Sequence, residues 1–113
     1  MQKGFFPELS AFVQSDVVVG MELVKENAVE QWRQLIGPTN SLKAKTDVPN
    51  SLRALFGTDG QKNAVHGSDS LQSMKREMAF WFGESTKASL MKTTALLNNC
   101  SLCIIKPHIV NSG

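Results

Sequence analysis

Apolar residues recur along this chain with two different periods, and each change of period marks out an element. Phe5, Leu9, Phe12 and Val13 fall at helical spacing. Pro7 stands at the first helical position, and Glu8 where a helix dipole favours a carboxylate. Ser15-Asp16 ends that helix. Val17 to Val24 is a nearly continuous apolar run, the pattern of a strand covered on both faces. Glu22 interrupts it and marks a face that approaches an edge or a site. Asn27 and Glu30 have the spacing of a capping box. Ala28, Val29, Trp32, Leu35 and Ile36 then share one side of a helix that Gly37-Pro38 stops. Residues 39–50 are polar, contain Pro49 and show no period, which predicts a long loop. Ser51 to Phe56 predicts one short helical turn presenting Arg53, and Gly57-Thr58-Asp59-Gly60 a turn.

A short strand over Asn63 to His66 comes next. Ser68 or Asp69 can cap the helix after it, whose apolar stripe is Leu71, Met74, Met78, Trp81 and Phe82. The stretch from Gly83 to Asn99, rich in Ser, Thr, Lys and Asn, reads as a linker. Cys100 to Lys106 predicts a further apolar strand before Pro107-His108. With little chain after that strand to pack on it, the ending reads as a truncation.

Composition narrows the class. A chain of 113 residues suits one small domain, and 42% hydrophobic with 19% charged residues suits a globular one. A formal charge of +2 does not argue for nucleic acid, so any anionic ligand must be bound by particular arginines. No apolar run has the length of a membrane span. The first twenty residues lack the features of a signal peptide, and two cysteines fit a reducing compartment. The expectation is a soluble intracellular protein, without membrane or nucleic-acid partners.

Several chemistries can be set aside. Cys100 and Cys103 have C-x-x-C spacing, but residues three apart on a strand face opposite sides and no second ligand pair exists. His66, Ser68 and Asp69 are triad residue types, yet triad members are brought together by a fold rather than lying side by side. No G-x-x-x-x-G-K-[ST] loop occurs. What remains is His66 with helix-start amides beside it, Glu77 at the edge of the last stripe, and Arg33 and Arg53. Arg33 lies roughly 100° from the middle of its helix's apolar stripe, close enough to reach over into a cleft. Each has an ordinary alternative: a histidine closing a strand, a glutamate paired with lysine in solvent, a snorkelling arginine. Together they suit phosphoryl transfer, with arginines spreading charge over a polyphosphate and the imidazole accepting the phosphoryl group in line.

The octet Asn63-Ala64-Val65-His66-Gly67-Ser68-Asp69-Ser70 resembles the N-x-x-H-G-S-D-S signature of nucleoside diphosphate kinases. The likeness extends to Phe5-Phe6, the valine strand, Gly37-Pro38-Thr39-Asn40, the Arg53 segment and residues 76–82, without gaps from Arg33 to Glu77. It implies an α/β (α+β) fold, a ferredoxin-like antiparallel sheet with packed helices, N-terminally truncated here. It also implies a ping-pong enzyme in which ATP phosphorylates His66 and a nucleoside diphosphate collects the phosphoryl group. By family position Phe5 would stack on the base and Leu9 border it. Arg33, Thr39 and Arg53 would hold the phosphates and Asn63 the sugar–phosphate end. Gly67 and Ser68 complete the nucleotide-binding set. Glu77 would hydrogen-bond His66 and fix its tautomer, and Mg2+ would bridge the phosphates without protein ligands of its own.

The strand Cys103-Ile104-Ile105-Lys106-Pro107-His108 resembles the opening strand of another such domain, where the family has I-K-P-D. The implied organisation is the later part of one kinase domain over 1–83, a linker over 84–99, and the truncated start of a second over 100–113. Lys106 would be the second domain's phosphate contact. Met21-Glu22-Leu23, Trp32 and residues 55–60 are similar to the tandem-domain branch of the family, which is associated with cilia, axonemal microtubules and centrosomes. That likeness implies an alternative structural role, with tubulin or centrosomal partners and a cytoplasmic, ciliary or cytoskeletal location. The family's first strand, first helix and second strand, with a lysine and a tyrosine that contact phosphates, would precede Met1. Asn50-Ser51 replaces the family's glycine-threonine, Ala54-Leu55 its glycine-aspartate at oligomer contacts, and His108 its aspartate. The strand Cys100 to Lys106 is similar to the missing one, so it is expected to fold back into the vacant place and bring Lys106 to the phosphates.

Overall fold

The computed structural model describes residues 6–83, 100–110 and 112. Along them run α1 (Phe6–Gln14), β1 (Val19–Val24), α2 (Ala28–Ile36), α3 (Ser41–Asp47) and α4 (Leu52–Phe56). Then come β2 (Val65–Gly67), α5 (Leu71–Phe82), β3 (Cys100–Ile105) and a last helical turn, α6 (Pro107–Val110). Phe5 and the predicted linker over 84–99 lie outside the described residues.

The three strands form one antiparallel sheet in the order β1-β3-β2. The last strand in sequence is therefore the central one. Val19 stands opposite Ile105 and Val24 opposite Cys100, while His66 stands opposite Ile104. Side chains alternate between faces, so His66, Ile104, Leu102, Cys100, Glu22 and Gly20 share one face. On that face Met74 and Met78 of α5 pack with Cys100 and Leu102, all essentially without exposure. Trp81 closes over Gly20, where an added Cβ would come within 3.0 Å of the indole ring. The other face carries Val65, Gly67 and Ile105 against Trp32 and Ile36 of α2. Gly67 permits that contact, because a Cβ there would collide with the Trp32 ring. Burying side chains such as Met74 and Leu102 contributes about 1.5–3 kcal/mol each. The expected α+β architecture is what these residues form, and the expected fold-back of Cys100 to Lys106 is seen in the pairing of β3.

Some sequence expectations require correction. The valine strand begins at Val19, not Val17, and is an edge strand whose residues are half-buried or exposed rather than covered on both sides. Asn27 does not cap α2 with its side chain. It adopts left-handed φ 51°, which asparagine tolerates, and the Ala28 N–H bonds the Lys25 carbonyl in a tight strand-to-helix turn. The loop over 39–50 contains α3, started by the Asn40 carboxamide oxygen, which accepts from the Leu42 and Lys43 N–H groups. Only Ser41 and Ala44 of that helix are buried, so it has no apolar stripe to betray it. The predicted strand over Asn63 to His66 is shifted to Val65–Gly67, because Ala64 turns at φ 69°. Ser70, not Ser68 or Asp69, caps α5, accepting from the Ser73 N–H at 3.1 Å. Leu35 and Leu71 belong to the predicted stripes but are 54% and 59% exposed, since α2 and α5 are each covered along only part of their apolar side.

Candidate active site

His66 is the middle residue of β2, and its backbone is held from four sides. The Val65 N–H bonds the Asn63 carbonyl at 2.8 Å across Ala64, whose positive φ makes this a γ-turn of the strained hand. The Ala64 carbonyl accepts from the Lys106 N–H at 2.8 Å. The Val65 carbonyl accepts from Arg53 Nη2 at 3.1 Å, and the His66 carbonyl from Trp32 Nε1 at 3.2 Å. A strained turn persists only where its surroundings over-determine it, and here α2, α4 and the end of β3 do so.

The ring faces α5. His66 Nε2 lies 3.1 Å from Glu77 Oε2, which also accepts from Ser68 Oγ at 2.8 Å. An ionised carboxylate only accepts, so Nε2 carries the proton and Nδ1 is left as the basic, nucleophilic nitrogen. Ser68 thus serves Glu77 instead of capping α5, and being fully buried it fixes which way the carboxylate points.

His66 and Glu77 open on a cavity of about 520 Å³ also lined by Leu9, Arg33, Thr39, Arg53, Gln61, Asn63, Gly67, Asp69 and Lys106. Residues from α1 to the end of β3, far apart in sequence, converge there. A larger cavity of about 960 Å³ lies on the other side of Arg33, between the starts of α2 and α5. It contains neither His66 nor Glu77, so the smaller one is the candidate site.

The cavity is cationic. Arg53 is 6% exposed, and its short helix presents it inward to the cavity wall. It donates to the carbonyls of Gly37 (2.9 Å) and Val65, clamping the walls. Burial, and then the charge of Arg33, lower its pKa from the usual guanidinium value. Lys106 Nζ donates to the Gln61 carbonyl at 2.8 Å and sits 6.0 Å from the centre of the Phe12 ring. Burial, followed by the nearby Arg53, brings its pKa down to about 8. Asp69 supplies a carboxylate whose pKa is lowered by hydrogen bonds from Ser73 and Ser70.

The predicted residues Leu9, Arg33, Thr39, Arg53, Asn63, His66, Gly67, Glu77 and Lys106 all border this one cavity. Asn63 is buried, and its amide nitrogen donates to the carbonyls of Thr39 and Gly60, so it first of all shapes the wall. Lys106, expected as the phosphate contact of a second domain, borders the same cavity as His66. Cys100 and Cys103 lie on opposite faces of β3, with burial raising both thiols to about 11. Two contributors escaped the sequence reading. Trp32 read as core only, although a buried indole N–H needs an acceptor and here finds His66. Gln61 acts through its carbonyl, which leaves no signal in side-chain pattern.

Comparison with known proteins gives the family and the fold. A family model described as nucleoside diphosphate kinase matches residues 1–87. Nucleoside diphosphate kinase homolog 7 of Rattus norvegicus is 45% identical over 109 residues, covering 96% of this chain and 27% of its own. A nucleoside diphosphate kinase of Pasteurella multocida is 51% identical over 83 residues, covering 74% of this chain and 58% of its own. Among solved structures, the Aquifex aeolicus nucleoside diphosphate kinase superposes with a TM-score of 0.65 at 38% identity, covering 75% of this chain and 60% of its own. The chain thus spans between about a quarter and three fifths of the length of these relatives.

Proposed function

The chain belongs to the nucleoside diphosphate kinase family, and we propose that it transfers the γ-phosphoryl group of a nucleoside triphosphate to a nucleoside diphosphate through His66. The observation that carries this reading is the pairing of His66 Nε2 with Glu77 Oε2, which directs the lone pair to Nδ1. Nδ1 attacks the γ-phosphorus in line, the bond to the β,γ-bridging oxygen breaks, and a nucleoside diphosphate leaves. A second diphosphate then binds. Its terminal β-phosphate oxygen attacks the phosphohistidine, the N–P bond breaks, and the electron pair returns to Nδ1. Imidazolium character that develops on the ring is offset by the Glu77 carboxylate, itself held by Ser68.

Arg33, the remaining donors of Arg53, and Lys106 supply positive charge for the polyphosphate, Thr39 adds a phosphate contact, and Asn63 meets the sugar–phosphate end with Leu9 bordering the base. Magnesium, bound with the nucleotide, would neutralise phosphate oxygens. The donor set fits that use: Glu77 is engaged by His66 and Ser68, and Asp69 is the lining carboxylate that would hold the ion through water.

Steady-state kinetics test the proposal. Double-reciprocal plots at several fixed diphosphate concentrations are expected to be parallel, and His66→Ala to abolish transfer. Intersecting lines, requiring both nucleotides bound at once, would rule out the phosphohistidine route.

A further inference from the structure

β3 holds an unusual position: last of the strands in sequence, central in the sheet, and reached only after residues 84–99. β1 and β2 each pair with β3 and not with each other. Among the described strands, withdrawing β3 therefore leaves no sheet. Its first four residues, Cys100 to Cys103, are essentially without exposure, so the slot it fills is a deep one.

The far end of β3 is where the sheet becomes the site. The Lys106 N–H secures the strained Ala64 turn two residues before His66, and its Nζ reaches the carbonyl of Gln61 on the cavity wall. Beyond it, Ile109 packs with Ile36 and Val65, and the His108 ring lies 5.6 Å from that of Phe12 on α1. One short segment thus joins α1, α2, β1, β2 and α5 around the cavity. Lys106 also brings a third cation to walls that already carry Arg33 and Arg53. With no polyphosphate present Arg53 is opposed by Arg33 and Lys106 by Arg53, burial disfavours the charges of Arg53 and Lys106 further, and Asp59 offsets Lys106 only in part. A polyphosphate between them reverses the sign of that interaction.

We propose that β3 is a docked strand latched by the ligand it helps to bind: phosphate held between Lys106, Arg53 and Arg33 keeps β3 seated between β1 and β2, and unseating β3 dismantles the site. The proposal rests on the reading of this cavity as a polyphosphate site, though not on turnover there. By linkage, a ligand that binds only the seated form strengthens seating by the factor 1 + [L]/Kd. The latch therefore works in both directions, making β3 a control point for the phosphate site.

Amide hydrogen exchange of the whole chain, with and without magnesium-free inorganic tripolyphosphate, tests this. At a concentration of probe one hundred times its Kd, exchange of residues 100–105 is expected to slow about a hundredfold, with 19–24 and 65–67 slowing in parallel. In Lys106→Met, the same probe concentration should slow β3 by less than about threefold. Lys106→Arg, which keeps the cation, should restore much of the effect and guards against a folding failure in the methionine variant. Three results would overturn the proposal: β3 protection that is high and indifferent to the probe, β3 amides that exchange freely in both states, or full ligand protection in Lys106→Met. Turnover enters none of these readouts. A latch without phosphohistidine would sink the kinase reading alone, and phosphohistidine with an indifferent β3 would sink this one alone.

Discussion

The orientation of His66 is set by bonds made by its neighbours more than by its own position on β2. Glu77 Oε2 accepts from both His66 Nε2 and Ser68 Oγ, so removing the carboxylate leaves the ring without its orienting partner. Glu77→Ala is predicted to slow phosphorylation of His66 by about 10²-fold or more, read in single-turnover quench experiments. Glu77→Gln keeps an accepting oxygen and should retain more of the rate; equal losses would show that charge, and not orientation, is what Glu77 supplies. Gly67 is a second sensitive point. A Cβ there meets the Trp32 ring, whose Nε1 holds the His66 carbonyl. Gly67→Ala should therefore cost about 1–3 kcal/mol in urea unfolding and lower activity with it; an unchanged midpoint would contradict that packing. The octet around His66 was legible from local spacing, whereas spacing left Glu77 open between the imidazole and a lysine in solvent, and it was the family likeness that implied its reach to His66. The inward turn of Arg53 was not legible from spacing, because its partners, the Gly37 and Val65 carbonyls, are brought to it by tertiary structure.

Helix boundaries show where local rules win and where they lose. Asn27 and Asn40 each precede a helix, and sequence pattern favours Asn27 as the capping residue. Yet Asn40 accepts two backbone N–H groups, while Asn27 sits in a left-handed turn and makes no side-chain cap. Asn40→Ala should then destabilise the chain by about 1 kcal/mol, whereas Asn27→Gly should change stability by only a few tenths. Equal effects on the urea midpoint would mean that the two turns are not as described. The helix that Asn40 starts was invisible in the sequence because it buries only Ser41 and Ala44, so no apolar period arises. The α5 helix was plain for the opposite reason: Met74 and Met78 sit one turn apart, and both are buried against β3.

Among the described residues the sheet is organised by β3, and the charge of Lys106 just beyond it makes stability depend on pH. Lys106 has a folded pKa of about 8 against an ordinary 10.5, so the unfolded chain binds more protons between those values. Stability must rise with pH across that interval. The thiols of Cys100 and Cys103, raised to about 11 from 9.0, act oppositely above pH 9, where only the unfolded thiols ionise. The window free of the thiols is pH 8 to 9. Stability should climb there by less than the ~1.4 kcal/mol per unit of a full proton, because Lys106 is partly exposed. Arg53 and Asp59 also face Lys106, lowering and raising its pKa respectively. Lys106→Met should flatten the climb in urea melts, and a climb that survives must come from another group. Strand order was the least legible feature from periodicity, since an apolar run says nothing of its neighbours; it was the family likeness of Cys103 to His108 that suggested the fold-back. The most direct test of the account as a whole is incubation of the chain with γ-labelled ATP and magnesium. We predict one acid-labile, base-stable label, discharged by added nucleoside diphosphate and absent from His66→Ala. A folded chain that takes no label, or one whose label persists in His66→Ala, would contradict phosphoryl transfer through this histidine.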